Sequence, residues 1–78
     1  MSKRVVVYSQ PTCMPCRKMK EFLSQNKIEF IDRDVSADDD ALRELIRMGH
    51  MTTPVIVVDD EVIVGFDRAR LESLLLRG

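Results

Sequence analysis

Two unbroken apolar runs, Val5-Val6-Val7-Tyr8 and Val55-Ile56-Val57-Val58, constrain this chain more than anything else in it. A strand with one wet face alternates apolar and polar side chains. A run with no charged position and mostly β-branched residues reads instead as a buried, central strand. A chain of 78 residues has room for one domain around such strands, so residues 1–78 are read as a single domain. At 45% hydrophobic it can fill a core, yet a domain of this size buries only roughly 60–65% of its unfolded surface and has little stability to spare.

The rest of the pattern fits around those runs. Ser9-Gln10-Pro11-Thr12 ends the first one. Over residues 14–26 the period turns helical, with Cys16, Met19, Phe22 and Leu23 on one side and Arg17, Lys18, Lys20 and Glu21 mostly on the other. A second strand is expected at about residues 28–34. Ile28, Phe30 and Asp32 share one parity there while Ile31 and Val35 fall outside it, which predicts burial on both faces. Ser36 followed by Asp39 predicts a capping-box-like helix start, and Asp38, Asp39 and Asp40 suit the positive end of a helix dipole. Ala41, Leu42, Leu45, Ile46 and Met48 supply an apolar stripe, and Gly49 stops the helix.

Pro54 precedes the second apolar run. Asp59-Asp60 then breaks it before Glu61-Val62-Ile63-Val64, predicting an antiparallel hairpin. Asp-Asp is a weaker turn pair than Asn-Gly, because only Gly accepts positive φ freely. Asp67 reads as the N-cap of a last helix, with Phe66 before it packing on Leu71 as a hydrophobic staple and Leu74 and Leu75 continuing the stripe. The order is β-α-β-α-β-β-α, an α/β class. The first two strands should be parallel with a right-handed crossover, and the hairpin completes a four-stranded mixed sheet packed by three helices.

Charge narrows the function. Lys and Arg number 12 against 13 Asp and Glu, for a net charge of -1. Nucleic-acid and membrane-surface proteins need a positive field, so neither partner is expected. No apolar run is long enough to span a bilayer and no signal peptide is visible, which makes the reducing cytoplasm the expected compartment. Two cysteines there are more often catalytic or metal-binding than a structural staple.

Those two, in Cys13-Met14-Pro15-Cys16, stand where a strand turns into a helix. The thiolate is the nucleophile of disulfide exchange, and the unpaired N–H groups and dipole of a helix N-terminus stabilise it. Cys13, at the first turn, is assigned as the attacking nucleophile. Cys16, one turn further in and towards the core, is the resolving thiol that displaces the reduced product. Pro15 fits the first turn, where no N–H bond is lost. Thr12, Met14, Pro15 and Arg17 are the expected supporting residues, Arg17 with Lys18 adding positive charge. A structural disulfide closing so small a loop would stabilise little. Within one chain a zinc site would have only His50 beyond the cysteine pair, so no metal is expected. Two chains could still supply four thiolates, leaving open a non-enzymatic dimer that binds an iron–sulfur cluster or zinc.

The segments Val7 to Cys16, Thr53-Pro54-Val55 and Gly65-Phe66-Asp67 resemble the glutaredoxin-like branch of the thioredoxin superfamily, in the family's order and across essentially the whole chain. The resemblance implies a minimal thioredoxin fold and a disulfide-reducing enzyme with no bound cofactor; a monomer is the default expectation. It further implies that Pro54 is a cis-proline facing the active site and that Thr53 pairs with a substrate strand. Gln10, Gly65, Phe66 and Asp67 are the remaining substrate-binding positions that it marks.

The departures bear on the electron source. Typical glutaredoxins carry Cys-Pro-Tyr-Cys; Met14-Pro15 is closer to the Gly-Pro of thioredoxins. Gln10 stands where glutathione-binding members place a basic residue. Gly65 and Asp67 match a Gly-Gly-x-Asp-Asp-like segment, whereas Phe66 and Arg68 replace its second Gly and second Asp. The Gly-Phe pair is similar to glutaredoxin-like donors to ribonucleotide reductase, which thioredoxin reductase recharges. The expected reductant is therefore NADPH through a thioredoxin-reductase-like flavoprotein, with glutathione as the alternative.

Overall fold

The structure, a computed structural model, describes residues 4–76. Seven elements follow in the predicted order: β1 (Val5–Ser9), α1 (Met14–Gln25), β2 (Ile31–Asp34), α2 (Asp39–Arg47), β3 (Val55–Val58), β4 (Glu61–Val64) and α3 (Arg68–Leu75). The sheet runs β2-β1-β3-β4. β1 pairs with β2 in parallel, Val6 opposite Ile31, and with β3 antiparallel, Val7 opposite Ile56. β3 and β4 close the hairpin with Val58 opposite Glu61. This is the four-stranded mixed sheet of a minimal thioredoxin fold.

The two apolar runs are the two central strands, and each has a core on either side. Val5 and Val7 of β1, with Ile56 and Val58 of β3, pack against Met19, Phe22 and Leu23 of α1 and Leu71 of α3. Val6, Tyr8 and Val55 face the other way, onto Val35 and onto Ala41 and Leu45 of α2. Each fully buried aliphatic side chain contributes about 1.5–3 kcal/mol relative to exposure, so the pair of runs anchors the fold. The α1 prediction holds residue for residue: its buried members are Cys16, Met19, Phe22 and Leu23.

Three expectations need correction. β2 begins at Ile31 and lies at a sheet edge, and Ile31 is 47% exposed, so it is not buried on both faces. Its polar residues are satisfied sideways instead. Asp32 accepts from Ser9 Oγ at 2.8 Å and from Lys20 Nζ at 2.9 Å, and Arg33 reaches Glu44 at 2.7 Å. Ile28 and Phe30, ahead of the strand, pack against the α1 and α3 side of the core.

The second correction is the cap of α2. Asp38 performs it, accepting from the amides of Asp40 and Ala41. Ser36 is already engaged: its amide and hydroxyl donate to Asp34 at 2.9 and 2.6 Å. These bonds, the hydroxyl's first, hold the Asp34 carboxyl below its ordinary 3.8. Third, Leu42 and Ile46 are exposed, so the buried stripe of α2 consists of Ala41 and Leu45 with Met48 partly covered.

The remaining boundaries follow expectation. Gly49 ends the α2 segment at φ +86°, its amide donating to the Ile46 carbonyl at 2.8 Å. Asp59 takes the positive φ of the hairpin turn at +52°, held by its amide on the Arg4 carbonyl and its carboxylate on the Arg4 amide, both 2.9 Å. Asp67 caps α3 by accepting from the Arg70 amide at 3.2 Å, and Phe66 packs into the cluster that holds Leu71. Among the described residues no helix is long and apolar enough to cross a membrane.

Candidate active site

β1 delivers the chain to one end of the sheet, where Gln10, Pro11 and Thr12 turn it into α1. The Cys13 amide donates to the Gln10 carbonyl at 3.3 Å and closes that turn. Cys13 has extended backbone, φ -93° and ψ 111°, which makes it the N-cap of α1. An N-cap side chain satisfies one of the amides that a helix start leaves unpaired, and here a sulfur does it: Cys13 Sγ accepts from the Cys16 amide at 3.2 Å. The first-turn proline costs no bond, and the ladder starts with the Arg17 amide on the Cys13 carbonyl at 3.2 Å.

The two cysteines are joined as a disulfide, with Cα atoms 5.2 Å apart. Their environments differ. Cys13 is partly exposed, and Cys16 is fully buried among the core-facing residues of α1. An external sulfur can reach Cys13, while Cys16 can be reached only from Cys13. The same N–H that bonds Cys13 in the disulfide would bond a thiolate there more strongly, since charge-assisted hydrogen bonds are about twice as strong as neutral ones.

Pro54 lies across from this turn. The Thr53–Pro54 peptide bond is cis and Pro54 is buried at the start of β3. Its carbonyl accepts from the Gly65 amide at 2.8 Å. Gly65 has φ +82°, a conformation costing a residue with Cβ roughly 1–2 kcal/mol, and this bend brings Phe66 up beside the proline. Met14, Pro15, Thr53, Pro54 and Phe66 thereby line one apolar trough at the edge of the cysteine turn, with Lys18 on its rim. Met14 is 57% exposed, an apolar side chain open to a partner.

The expected site residues distribute as follows. Cys13, Cys16, Met14, Pro15, Thr53, Pro54, Gly65 and Phe66 come together. Gln10 joins them through a bond from its Nε2 to Thr53 Oγ1 at 3.4 Å. Arg17 borders a second depression with Cys13, Gln10 and Lys20. Asp67 is engaged in capping α3. Thr12 is exposed in the turn, and its side chain makes no hydrogen bond among the described residues.

Two features were not anticipated. Ser9, buried at 1% exposure, ties the end of β1 to Asp32 and through it to Lys20 of α1, bracing the strand that leads into the cysteine turn. Tyr8 donates to Glu44 at 2.8 Å, and burial, then that bond, raise its phenol above the ordinary 10.0. No local signal marks either, because each joins residues more than twenty positions apart.

Comparison with known proteins agrees with this geometry. A family model described as Glutaredoxin matches residues 5–63. A glutaredoxin-like 8.6 kDa protein in a rubredoxin operon of Clostridium pasteurianum is 36% identical over 72 residues, covering 91% of this chain and 96% of the relative. The glutaredoxin-like protein NrdH of Lactococcus lactis subsp. cremoris is 34% identical over 70 residues, covering 90% and 97%. Among solved structures, a thioredoxin-like protein matches with a TM-score of 0.87 and 38% identity, over 92% of this chain and all (100%) of the other. The glutaredoxin-like NrdH-redoxin from Escherichia coli matches with a TM-score of 0.83 at 22% identity, covering 91% and 93%, a likeness of fold.

Proposed function

This chain belongs to the glutaredoxin family, and from that premise we propose that it is a dithiol electron carrier that reduces protein disulfides and is recharged by a thioredoxin-reductase-like flavoprotein. The observation that carries the reading is the contrast between its sulfurs: Cys13, partly exposed and accepting an amide at a helix start, and Cys16, wholly buried beside it.

The reaction runs in two exchanges. The Cys13 thiolate attacks one sulfur of the substrate disulfide, forming a mixed disulfide and releasing the other substrate sulfur as a thiolate, which takes up a proton. The Cys16 thiol gives up its proton and its sulfur attacks Cys13. This forms the Cys13–Cys16 disulfide and frees the second substrate thiol. The substrate gains two electrons and two protons: the chain supplies both electrons and the Cys16 proton, and solvent supplies the other, the one the Cys13 thiol released to it on ionising. Thr53 and Pro54, with Met14, Pro15 and Phe66, form the surface against which the substrate segment lies during the mixed disulfide.

Support for the flavoprotein as reductant comes from what the site offers a small tripeptide. At position 10 stands a neutral amide, hydrogen-bonded to Thr53. Asp67 spends its carboxylate on α3. The trough beside the cysteines is apolar, suited to a protein surface. The matching compartment is the reducing cytoplasm, and the working form a monomer. Coupled assays decide the matter: NADPH oxidation with thioredoxin reductase and insulin is the expected result, and turnover only with glutathione and its reductase overturns it.

A further inference from the structure

The cations of α1 are placed against the helix's own preference. Acidic residues stabilise the start of a helix and basic ones its end. α2 obeys, with Asp39 and Asp40 in its first turn and Arg47 in its last. α1 carries no acidic residue in its first turn and no basic one in its last, while Arg17, Lys18 and Lys20 follow directly on Cys16. Lys20 is paired with Asp32. Among the described residues the side chains of Arg17 and Lys18 make no hydrogen bond or salt bridge, and neither does the exposed Glu21 beside them.

Lys18 occupies a particular place. It stands on the rim of the apolar trough along Pro54 and Phe66 and also borders the next depression, beyond Phe66, where Phe22, Arg68 and one carboxylate, Glu21, are its neighbours. Arg68 is positioned there by aromatic contacts. Its guanidinium lies 5.8 Å from the Phe22 ring centroid, and Phe22 meets Phe66 edge-on at 6.1 Å. The nearest carboxylate, Glu72, is 3.7 Å away, and the Arg68 side chain remains 71% exposed. Two accessible cations thus mark the outer end of the trough that starts at Met14 and Pro15, the residues that follow Cys13 in the chain, and runs along Pro54 and Phe66, on a chain whose net charge is -1.

We infer that Lys18 and Arg68 form a carboxylate clamp, and that the preferred substrates are proteins with an Asp or Glu close in sequence to the disulfide being reduced. The inference rests on the dithiol-carrier reading and adds to it the substrate class. Lys18 is five positions beyond Cys13, a helical rise of about 7.5 Å. With the reach of its side chain, this places the carboxylate about two to four extended residues from the attacked cysteine. The aliphatic part of the substrate segment lies on Met14, Pro15 and Phe66, and its charge is met where the apolar floor ends.

Single-turnover reduction of disulfide peptides by the pre-reduced full chain tests this without any reductase. Three peptides differ only in carrying Glu, Gln or Lys three residues from the disulfide. The expected rates fall in that order, Glu over Gln by about fivefold at low ionic strength, a surface-strength pair of contacts. That ratio should collapse towards one in the Lys18→Gln/Arg68→Gln double variant and at about 1 M salt, where the Debye length is about 3 Å. It should survive Arg43→Gln/Arg47→Gln, the same charge change on the far helix. Taking a ratio between peptides cancels any effect of the cations on the Cys13 thiolate itself. Equal rates for Glu and Gln peptides in the unaltered chain, or a preference that persists in the double variant, overturn the clamp and leave the dithiol carrier standing. Reduction of none of the three peptides overturns the carrier reading and the clamp together.

Discussion

Phe66 joins stability to function in one side chain, and its removal has a magnitude that can be worked out. It is half-buried, packs with the cluster holding Leu71, meets Phe22 edge-on at 6.1 Å, and forms one wall of the trough beside Pro54. Truncating a fully buried Phe to Ala costs about 3–5 kcal/mol. Half-burial and the open trough reduce that to about 2 kcal/mol for Phe66→Ala. Phe66→Leu keeps the aliphatic packing and loses the ring pairing, worth about 0.5–1.5 kcal/mol. For a domain of this length each kcal/mol moves Tm by roughly 4–8 °C, so Ala should lower Tm by about 8–16 °C and Leu by about half as much. Urea titrations monitored by circular dichroism give the free energies, and insulin reduction gives KM and kcat. The Ala variant should raise KM well above the Leu variant, while alkylation of Cys13 in the reduced protein is unchanged. A stability loss under about 0.5 kcal/mol for Ala would refute the staple and the core contact. Equal KM for both variants would refute the trough.

Three further outcomes are expected. Lys27 follows the C-cap of α1 at φ +58°, with its amide on Ser24 and the next amide on Leu23; Lys27→Gly should therefore stabilise the fold by about 1 kcal/mol, seen as a higher urea midpoint. The Tyr8 phenol is raised in the folded state, so its contribution is complete below pH 10 and lost as pH rises through the folded value. Urea stability between about pH 9 and 11.5 should consequently fall more steeply for the unaltered chain than for Tyr8→Phe. Cys16→Ser should arrest exchange at the first step, and mass spectrometry should find the substrate attached at Cys13.

How much of this could be read from residue order follows the range of each interaction. β1, α1 and the cysteine turn were legible because their signals are local: an apolar run, a helical period, and two sulfurs at the junction. α3 was legible for the same reason, with Asp67, Phe66 and Leu71 lying within five positions. The cap of α2 was misread where several candidates crowd together in Ser36-Ala37-Asp38-Asp39-Asp40. Ser36 bonds back to Asp34, which leaves Asp38 to cap the helix. β2 was misread because its parity looked two-sided, when Asp32 and Arg33 find their partners on α1 and α2 at the sheet edge. The pairing of β1 with β3 lay beyond local reading, since two buried runs do not announce that they pair with each other. In the site, the cysteines and the proline were visible as motifs. The place of Lys18 between two grooves depends on how Phe66 returns from the far end of the chain.

The proposed chemistry depends on a sulfur at position 13 that ionises readily because an amide at the start of α1 is already aimed at it. Its most direct test is the pH dependence of iodoacetamide alkylation of the reduced chain, read peptide by peptide. Cys13 should be modified at a pH well below that needed for an ordinary thiol, about 8.5, while Cys16 stays protected until the protein is unfolded. Modification of Cys13 only as that ordinary value is approached, or of Cys16 as readily as Cys13, would contradict it.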